Sequence, residues 1–372
     1  MAINTTRVSA GEALDVLQSG WAAQSAGRMR VSYMLHGRPG VGKTQVVQQL
    51  ADQIGGKLFD IRLTTIEPQD LRGLPAFDHE TQTTTWYRPE DLPSDPATPA
   101  VLFLDELTAA QPWLQPTVYG LLQERRVGRH SLPDSVFIVA AGNMVEDGAV
   151  AYEMGTGLSD RLIHLHVVAS PADWLAGFAV DREIHPTVVA FLRTRPDLLE
   201  TTEETLADGR MIAATPRSWE RVSQILHAVP DRRIRDIMIS GTVGETIAAE
   251  FALLADEIAA TVRVDEMLTA APGARLRLYP ETMHGLTALV YGLVGALSEK
   301  TAPRIIEIMG EVRHLARLRT EPVFQRLPLA ELCTYGFEAL IRKGLEMDLA
   351  ETFLNAPAYK AYSEERRAAG FE

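Results

Sequence analysis

The sequence predicts an α/β fold: a parallel five-stranded sheet with helices on both faces, followed by a helical region. Two observations carry this prediction. Five short apolar runs, separated by helical patterns, lie in the first half of the chain, at residues 31–35, 57–64, 101–104, 136–140 and 163–168. Strands joined through helices pair in parallel and bury both faces of their sheet. After Pro171 the strand signals cease and the pattern is helical.

The order of these patterns predicts an α/β domain over residues 1–170 and helical regions over 171–257 and 258–372. Ser9 and Glu12 have the capping-box spacing and open a helix that runs to about Ala23. An insertion at 67–90 begins with a short helix or loop and continues as a hairpin over 77–86. Residues 261–280 are predicted to be a connector. The apolar stretch 283–297 is shorter than a membrane span needs and is predicted to be a core helix.

A glycine-rich segment follows the first apolar run and has the pattern of a complete phosphate-binding loop. All eight of its residues are expected to bind nucleotide: Gly37, Arg38, Pro39, Gly40, Val41, Gly42, Lys43 and Thr44. Glycine permits the positive φ angles that turn successive backbone N–H groups toward one phosphate, and the following helix adds its positive dipole end. Lys43 supplies charge for the β- and γ-phosphate oxygens, and the Thr44 hydroxyl suits a Mg²⁺ ligand. A plain glycine turn, the alternative, leaves Lys43 unexplained.

Composition excludes several classes of protein. The 372 residues carry a formal net charge of -13, which argues against a general nucleic-acid coat protein because such proteins are basic. The single cysteine, Cys333, lies in an apolar context and is predicted to be a buried thiol. A disulfide framework is therefore excluded, which fits a reducing cytoplasm. The first residues lack the basic-then-apolar pattern of a signal peptide, and no membrane span is expected.

Polar side chains follow two of the apolar runs. Asp105 and Glu106 come directly after the run 101–104. Asp105 suits a Mg²⁺-binding role, and Glu106 reaches further, so that it can orient or deprotonate an attacking water. Asn143 follows the run 136–140, which we expect beside 101–104, and its amide can contact both a phosphate oxygen and that water. Acidic residues often end strands and Gly-Asn is a common turn pair, so each motif alone is a weak signal.

Taken together and in this order, the motifs resemble the AAA+ ATPases, in particular their MoxR-like and dynein-related branch. The similarity covers roughly residues 10–250. It includes the phosphate loop, the run ending in Asp105-Glu106, residues 121–127, the run ending in Asn143, and Leu158-Ser159-Asp160-Arg161-Leu162. The resemblance implies ATP and Mg²⁺ as cofactors, a homo-oligomeric ring of six subunits, and a helical lid over 171–257. The insertion at 67–90 looks like the family's helix-2 insert, which tends to face the pore or the substrate.

Two arginines acquire roles through the resemblance. Arg161 matches the arginine finger that reaches the nucleotide of a neighbouring subunit; the alternative is a surface ion pair with Asp160. Arg217 matches the sensor arginine that opens a lid helix, and Pro216 before it suits a first helical turn. Its alternative is simple solvation. The chain departs from the family at 107–110, where Leu-Thr-Ala-Ala replaces the usual Asn-Arg pair, so the contacts of that pair are not carried over.

Three weaker candidates remain open. His164 and His166 alternate along a predicted strand and face one side, but no third metal ligand is signalled, so packed histidines are the simpler interpretation. Trp86 and Tyr87 either grip a polypeptide or pack on their own domain. Arg125 and Arg126 either act across an interface or form a solvated face.

The leading hypothesis is therefore a cytoplasmic, ring-forming Mg-ATP hydrolase that remodels or activates a protein client, such as one with a von Willebrand A-type domain. The alternatives are a nucleic-acid motor or restriction-type ATPase, against which the acidic charge counts, and a nucleotide-gated scaffold that hydrolyses poorly. A small-molecule kinase fits least, because no acceptor pocket is evident.

Overall fold

The computed structural model describes residues 4–144, 156–368 and 370. The chain divides into two compact units. The first comprises Met1–Ser170 and Thr202–Gly209, and the second comprises Pro171–Thr201 and Arg210–Glu372. The first unit is therefore discontinuous in sequence, because a short later segment packs with the α/β part.

Ten strands lie in the described part of the first unit: β1 (Arg7–Val8), β2 (Ser32–His36), β3 (Lys57–Arg62), β4 (Leu74–Asp78), β5 (Thr83–Tyr87), β6 (Ala100–Asp105), β7 (Arg126–Val127), β8 (His130–Ser131), β9 (Val136–Gly142) and β10 (Leu162–Val167). Six form a parallel sheet in the order β1-β10-β2-β9-β6-β3. The predicted α/β class and its five strands are confirmed. The sixth strand, β1, has only two residues and too little pattern to predict. As expected, β6 and β9 are neighbours.

The sheet buries a core on each face because side chains alternate along a strand. One core contains Met34, Leu102 and Ile138, and the other contains Leu35, Phe103 and Phe137. Both central strands, β6 and β9, are buried at every position. The carboxyl ends of β2, β9 and β6 therefore lie side by side on a rigid support.

Helices follow along both units: α1 (Ala10–Ser25), α2 (Lys43–Gln53), α3 (Pro68–Arg72), α4 (Gln115–Tyr119), α5 (Thr156–Ser159), α6 (Pro171–Asp173), α7 (Ala179–Asp181), α8 (Pro186–Thr194), α9 (Thr202–Ala207), α10 (Pro216–Ala228), α11 (Arg232–Val243), α12 (Glu245–Thr261), α13 (Val264–Thr269), α14 (Pro272–Arg275), α15 (Met283–Gly295), α16 (Ala302–Leu318), α17 (Leu329–Glu346), α18 (Ala350–Asn355) and α19 (Pro357–Ala368). The predicted capping box begins α1: Ser9 Oγ accepts from the Glu12 N–H at 3.2 Å, and Glu12 Oε2 accepts from the Ser9 N–H at 2.8 Å.

The insertion consists of the short helix α3 and the antiparallel hairpin β4–β5, as the sequence predicts. Its apolar side chains are largely exposed: Leu74 is 66%, Phe77 is 73% and Tyr87 is 69% accessible. Gly73 stands at the base of the hairpin with φ 84°, and a Cβ there would lie 1.8 Å from the Tyr87 carbonyl oxygen. This close approach lets the two strands begin side by side.

The described residues of the second unit form helices and the loops between them, without a strand. Its core includes Phe191, Trp219 and Phe251, whose ring centroids are 5.3 to 5.7 Å apart. Helix α15 is buried along most of its length, as predicted for residues 283–297, and Cys333 is a buried free thiol. No helix among the described residues is long and apolar enough to cross a membrane.

Residues 261–280 differ from the predicted connector, because they contain α13 and α14. A buried cluster of charged side chains explains why this segment is structured. Arg275 is fully buried and donates to Glu311 and Glu307 of α16, each at 2.9 Å, and the Tyr279 hydroxyl donates to Glu311 at 2.8 Å. The predicted boundary between the two helical regions, between residues 257 and 258, lies inside helix α12, which continues unbroken through it.

Candidate active site

The phosphate loop lies between the buried strand β2 and helix α2. Gly40 and Gly42 have φ angles of 85° and 101°, in a backbone region that residues other than glycine rarely adopt. Lys43 is the first residue of α2 and only 9% exposed. Its ammonium donates to the carbonyl oxygens of Gly37 at 2.5 Å and Arg38 at 3.0 Å. The loop thus has the backbone angles that its sequence predicts, with its lysine held at the centre.

Asn143 extends from the strand next to the loop and contacts the same lysine. Its Oδ1 accepts from Lys43 Nζ at 3.0 Å. The backbone carbonyl of Asn143 accepts from the Thr108 hydroxyl at 2.9 Å. Thr108 lies in the segment where the family's Asn-Arg pair is missing, so a single hydroxyl provides a polar contact there that we did not predict.

Asp105 ends β6 and is 8% exposed. Its Oδ1 accepts from the Glu106 N–H at 2.8 Å, and its Oδ2 lies 3.9 Å from the Arg62 guanidinium. Burial raises the pKa of Asp105, and the charge of Glu106 adds to the rise, whereas the Glu106 N–H, Arg62 and Lys43 oppose it. A buried carboxylate with this balance is well suited to a cation.

Glu106 has a left-handed backbone, with φ 59°, which is strained for a side chain of its size. Its carboxylate accepts a hydrogen bond from the Thr64 hydroxyl, and Arg62 Nε lies 3.8 Å from its other oxygen. Arg62 and Thr64 were not predicted as site residues. Arg62 pairs with Asp105 in the register of β3 and β6, so the adjacency of these two strands is the signal that could have found it.

The residues present fit a magnesium ion. Mg²⁺ prefers oxygen ligands, mostly carboxylates, together with water and phosphate. Asp105 offers a buried carboxylate, and Thr44 offers a half-buried hydroxyl in the first turn of α2. The described residues, including this site, contain no group of three or more His, Cys, Asp or Glu side chains that could hold a metal without further ligands.

The four arginines of the sequence prediction have different surroundings. Arg126 is exposed, and its guanidinium lies 3.4 Å from the Glu124 carboxylate. Arg161 is exposed, and its guanidinium donates to the Gly157 carbonyl of its own segment. Arg217 is exposed in the first turn of α10, in the second unit, after a capping box formed by Thr215 and Ser218. Arg125 is instead half-buried and donates to the Pro133 and Val136 carbonyls, and burial lowers its pKa to about 10. Arg125 therefore supports its own unit.

The two strand histidines lie on one face of β10, as predicted, and meet a third. His36, the last residue of β2, is opposite His166 in the register and 2.8 Å from His164 (Nε2 to Nδ1). The two ring planes lie within 17° of parallel and their centroids are 5.1 Å apart, so the rings meet edge to edge through these two nitrogens. His164 Nε2 lies 2.9 Å from the carbonyl oxygen of Ser159 and 3.1 Å from its hydroxyl. Sequence reasoning missed His36 because its partner lies 128 residues away.

A lysine-centred phosphate loop and a paired Asp-Glu at the end of a nearby strand define the class of P-loop nucleotide-hydrolysing domains. Residues 32–150 match the family model of the AAA domain, dynein-related subfamily. The chain therefore carries an ATPase domain of the AAA+ class, from the branch that its motifs predict. The chain matches no curated protein.

Several solved structures are similar to this chain at low scores. A candidate ATPase from Cytophaga hutchinsonii is 18% identical over 42% of this chain and 46% of its own, with a TM-score of 0.31, so the chain spans less than half of that protein. The Thermotoga maritima RuvB Holliday junction branch migration motor is 13% identical over 90% of this chain and 87% of its own, with a TM-score of 0.30. A variant of RuvB reaches a TM-score of 0.37 at 12% identity, covering 90% of this chain and 86% of its own. At these scores the likenesses support no functional conclusion.

Proposed function

We propose that the protein is a ring-forming Mg-ATP hydrolase that couples ATP turnover to remodelling or activation of a partner protein. One observation carries the catalytic part of this proposal. The phosphate loop, the Asp105-Glu106 pair and Asn143 meet at the carboxyl ends of β2, β6 and β9, which are neighbours in the sheet. Ligands of open parallel sheets bind at this edge.

The residues divide the chemistry among them. The backbone N–H groups of residues 37–44, all of which except Pro39 can donate, and the Lys43 ammonium hold the β- and γ-phosphates. Thr44 and Asp105 would hold Mg²⁺, which when bound offsets charge on the phosphate oxygens. Glu106 orients the attacking water and accepts its proton, and Asn143 is placed to contact that water and the γ-phosphate. Arg62 and Thr64 fix the direction of the Glu106 carboxylate.

Arg161 completes the site of a neighbouring subunit in this proposal. Its exposed guanidinium contacts a carbonyl of its own segment, which leaves it accessible to another chain. An arginine that reaches a neighbour's γ-phosphate stabilises the charge of the transition state, and the effect is large in related enzymes. Arg217 would act as the sensor arginine of the lid. Hydrolysis then depends on assembly, for which a ring of six is the expected form.

The exposed hairpin of the insertion is an argument for a partner protein as the client. Leu74 and Tyr87 are opposite each other in the register and expose apolar area on one face of the hairpin, and Phe77 exposes more on the other face. Exposed apolar surface marks sites of interaction with other molecules. The family resemblance suggests a client with a von Willebrand A-type domain.

Assembly dependence is tested with two inactive variants. Arg161→Ala lacks the finger and Glu106→Gln lacks the base, so each alone is expected to hydrolyse little ATP. Mixed in equal amounts, they form sites in which an Arg161→Ala subunit binds ATP and a Glu106→Gln neighbour supplies the arginine. Random mixing of head-to-tail contacts predicts recovery of about a quarter of the wild-type rate. Arg28→Ala, an exposed arginine outside the site, is the control and should keep full activity.

Steady-state turnover measured against protein concentration gives the second test. Turnover per subunit should rise with concentration, because completed sites form only on assembly. Failure of the mixed variants to recover would contradict the role of Arg161 between subunits. For the client, a purified von Willebrand A-domain protein is expected to change the rate. Stimulation by duplex DNA that weakens with salt would favour the nucleic-acid motor instead.

A further inference from the structure

Two histidine rings join the strand that leads into the phosphate loop to the segment that carries Arg161. His36 ends β2 and is followed directly by Gly37, the first residue of the loop. His164 lies on the neighbouring strand β10, three residues after Arg161. The 2.8 Å contact between the rings is therefore a link between two elements that have separate roles in the proposed reaction.

When both rings are neutral, the contact of His164 with the Ser159 carbonyl selects the arrangement of protons in this link. A carbonyl oxygen can only accept, so His164 Nε2, 2.9 Å from the Ser159 carbonyl, carries the hydrogen. Nδ1 of a neutral His164 is then an acceptor, and His36 Nε2 must donate to it. Burial, with the nearby Lys43 charge and the neighbouring histidines adding to the effect, lowers the pKa of His36 to about 3, so that His36 is neutral at physiological pH.

His164 also contacts the segment that carries the arginine. Both the carbonyl and the hydroxyl of Ser159 lie within hydrogen-bond distance of its Nε2. Ser159 ends α5 and stands two residues before Arg161, whose N–H donates to the Leu158 carbonyl at 3.1 Å and closes the turn. The backbone that orients Arg161 is thus fixed on one side by this turn and on the other by β10.

We propose that His164, oriented by His36, is a positioning residue that sets Arg161 for action on the neighbouring subunit. The inference rests on the proposed function of Arg161. In this proposal each subunit binds its own nucleotide with its phosphate loop and contacts the nucleotide of its neighbour with Arg161. The two histidines connect these two parts of one subunit. Loss of the link should impair the finger of a subunit and leave its own nucleotide site intact.

Two mixing experiments separate these effects. His164→Phe keeps an aromatic ring and removes both nitrogens, and we expect unchanged ATP affinity with turnover reduced about tenfold or more. Mixed with Glu106→Gln, it should recover turnover, because the Glu106→Gln subunit supplies an intact finger. Mixed with Arg161→Ala, it should not recover, because neither subunit has a working finger. The reverse pattern would mean that His164 supports its own nucleotide site, and the proposal would be overturned.

A pair of His36 variants guards against a simple failure to fold. His36→Gln retains an N–H that can donate to His164, whereas His36→Leu retains similar volume without a donor. We expect His36→Gln to keep most of the turnover and His36→Leu to lose it, with the same mixing pattern as His164→Phe. Equal turnover in the two variants would overturn the proposal. If Arg161→Ala and Glu106→Gln themselves fail to complement, the proposed finger is wrong, and that result is independent of either histidine.

Discussion

At the residue scale, the position of Asn143 depends on the absence of a side chain at Gly142. A Cβ there would lie 2.5 Å from the Thr108 hydroxyl, which holds the Asn143 carbonyl. We expect Gly142→Ala to displace Thr108 and with it the Asn143 amide, so that turnover falls about tenfold while ATP binding persists. Turnover and ATP affinity, measured on one preparation, check this.

Gly241→Ala is the matched control, because a Cβ at that helical position has nothing within 4 Å. It should leave turnover unchanged and stabilise its helix by about 0.5 kcal/mol. Full activity of Gly142→Ala would show that the contact between Thr108 and Asn143 is dispensable.

The buried His36 is expected to make the first unit less stable in acid. Its pKa is about 3 in the folded chain against 6.5 when unconstrained. The unfolded chain therefore gains a proton as the pH falls through 6.5, while the folded chain does not, and stability is lost progressively down to about pH 3. The loss due to His36 between pH 7.5 and pH 5 is about 2 kcal/mol.

Urea denaturation of the wild type and of His36→Gln at pH 7.5 and pH 5 measures the loss of stability due to His36. His185 in the second unit also has a lowered pKa, about 4, so only the difference between the two proteins isolates His36. An identical acid dependence in both proteins would contradict the assignment.

Sequence reasoning reached the residues whose chemistry is encoded in a local motif. Lys43, Asp105, Glu106 and Asn143 belong to this group, and the structure brings the first and last into contact. Sequence reasoning did not predict four other residues of the site, because nothing in their local sequence marks them: Arg62, Thr64, Thr108 and His36. Strand register places Arg62 and His36 beside the motif residues, and the segments that follow β3 and β6 place Thr64 and Thr108 there, so these contacts exist only in the folded domain.

At the scale of elements, the hairpin of the insertion depends on Gly73. Gly73→Ala combines a strained φ with a clash against the Tyr87 carbonyl, so the pairing of β4 and β5 should be disrupted. Limited proteolysis is expected to cut residues 74–87 much faster than in the wild type, while ATP turnover without a client is retained.

Gly209→Ala is a control for a strained glycine substitution outside the hairpin. Gly209 has a φ of 66°, but a Cβ at this position would have nothing within 4 Å, so its variant should leave the hairpin resistant to protease. Equal cleavage of the hairpin in both variants would count against the close approach as the cause.

The elements with strong periodicity were predicted well, and the weak ones were not. The five long strands and the hairpin agree with their apolar patterns to within a few residues. The two-residue β1 and the short helices α13 and α14 are set by tertiary contacts. In α14, the buried Arg275 pairs with carboxylates more than thirty residues away, which no local pattern records.

At the scale of the whole molecule, the net charge of -13 predicts weak interaction with nucleic acid. Affinity for DNA comes largely from neutralisation of phosphates by basic side chains. We expect no binding of labelled duplex DNA at physiological salt by fluorescence anisotropy, with or without ATP. Tight, salt-sensitive binding would reveal a basic surface strong enough to overcome the overall charge, and would support the nucleic-acid motor.

Chain order predicted the change from an α/β region to a helical one, but not the membership of α9. Residues 202–209 lie between helices of the second unit in sequence and nevertheless pack with the first. Glu203 of α9 forms a 2.7 Å ion pair with Arg38 of the phosphate loop. An exposed helix of six residues has no pattern that reveals which unit it joins.

The return of α9 to the first unit has a consequence for how the protein is made. During synthesis the phosphate loop leaves the ribosome long before Glu203 has been translated. Arg38 therefore cannot form its ion pair until more than 160 further residues have been added. The first unit can form its sheet early but is complete only after part of the second unit has been made. A nascent chain that stops short of residue 203 would thus present the phosphate loop without its ion pair to α9.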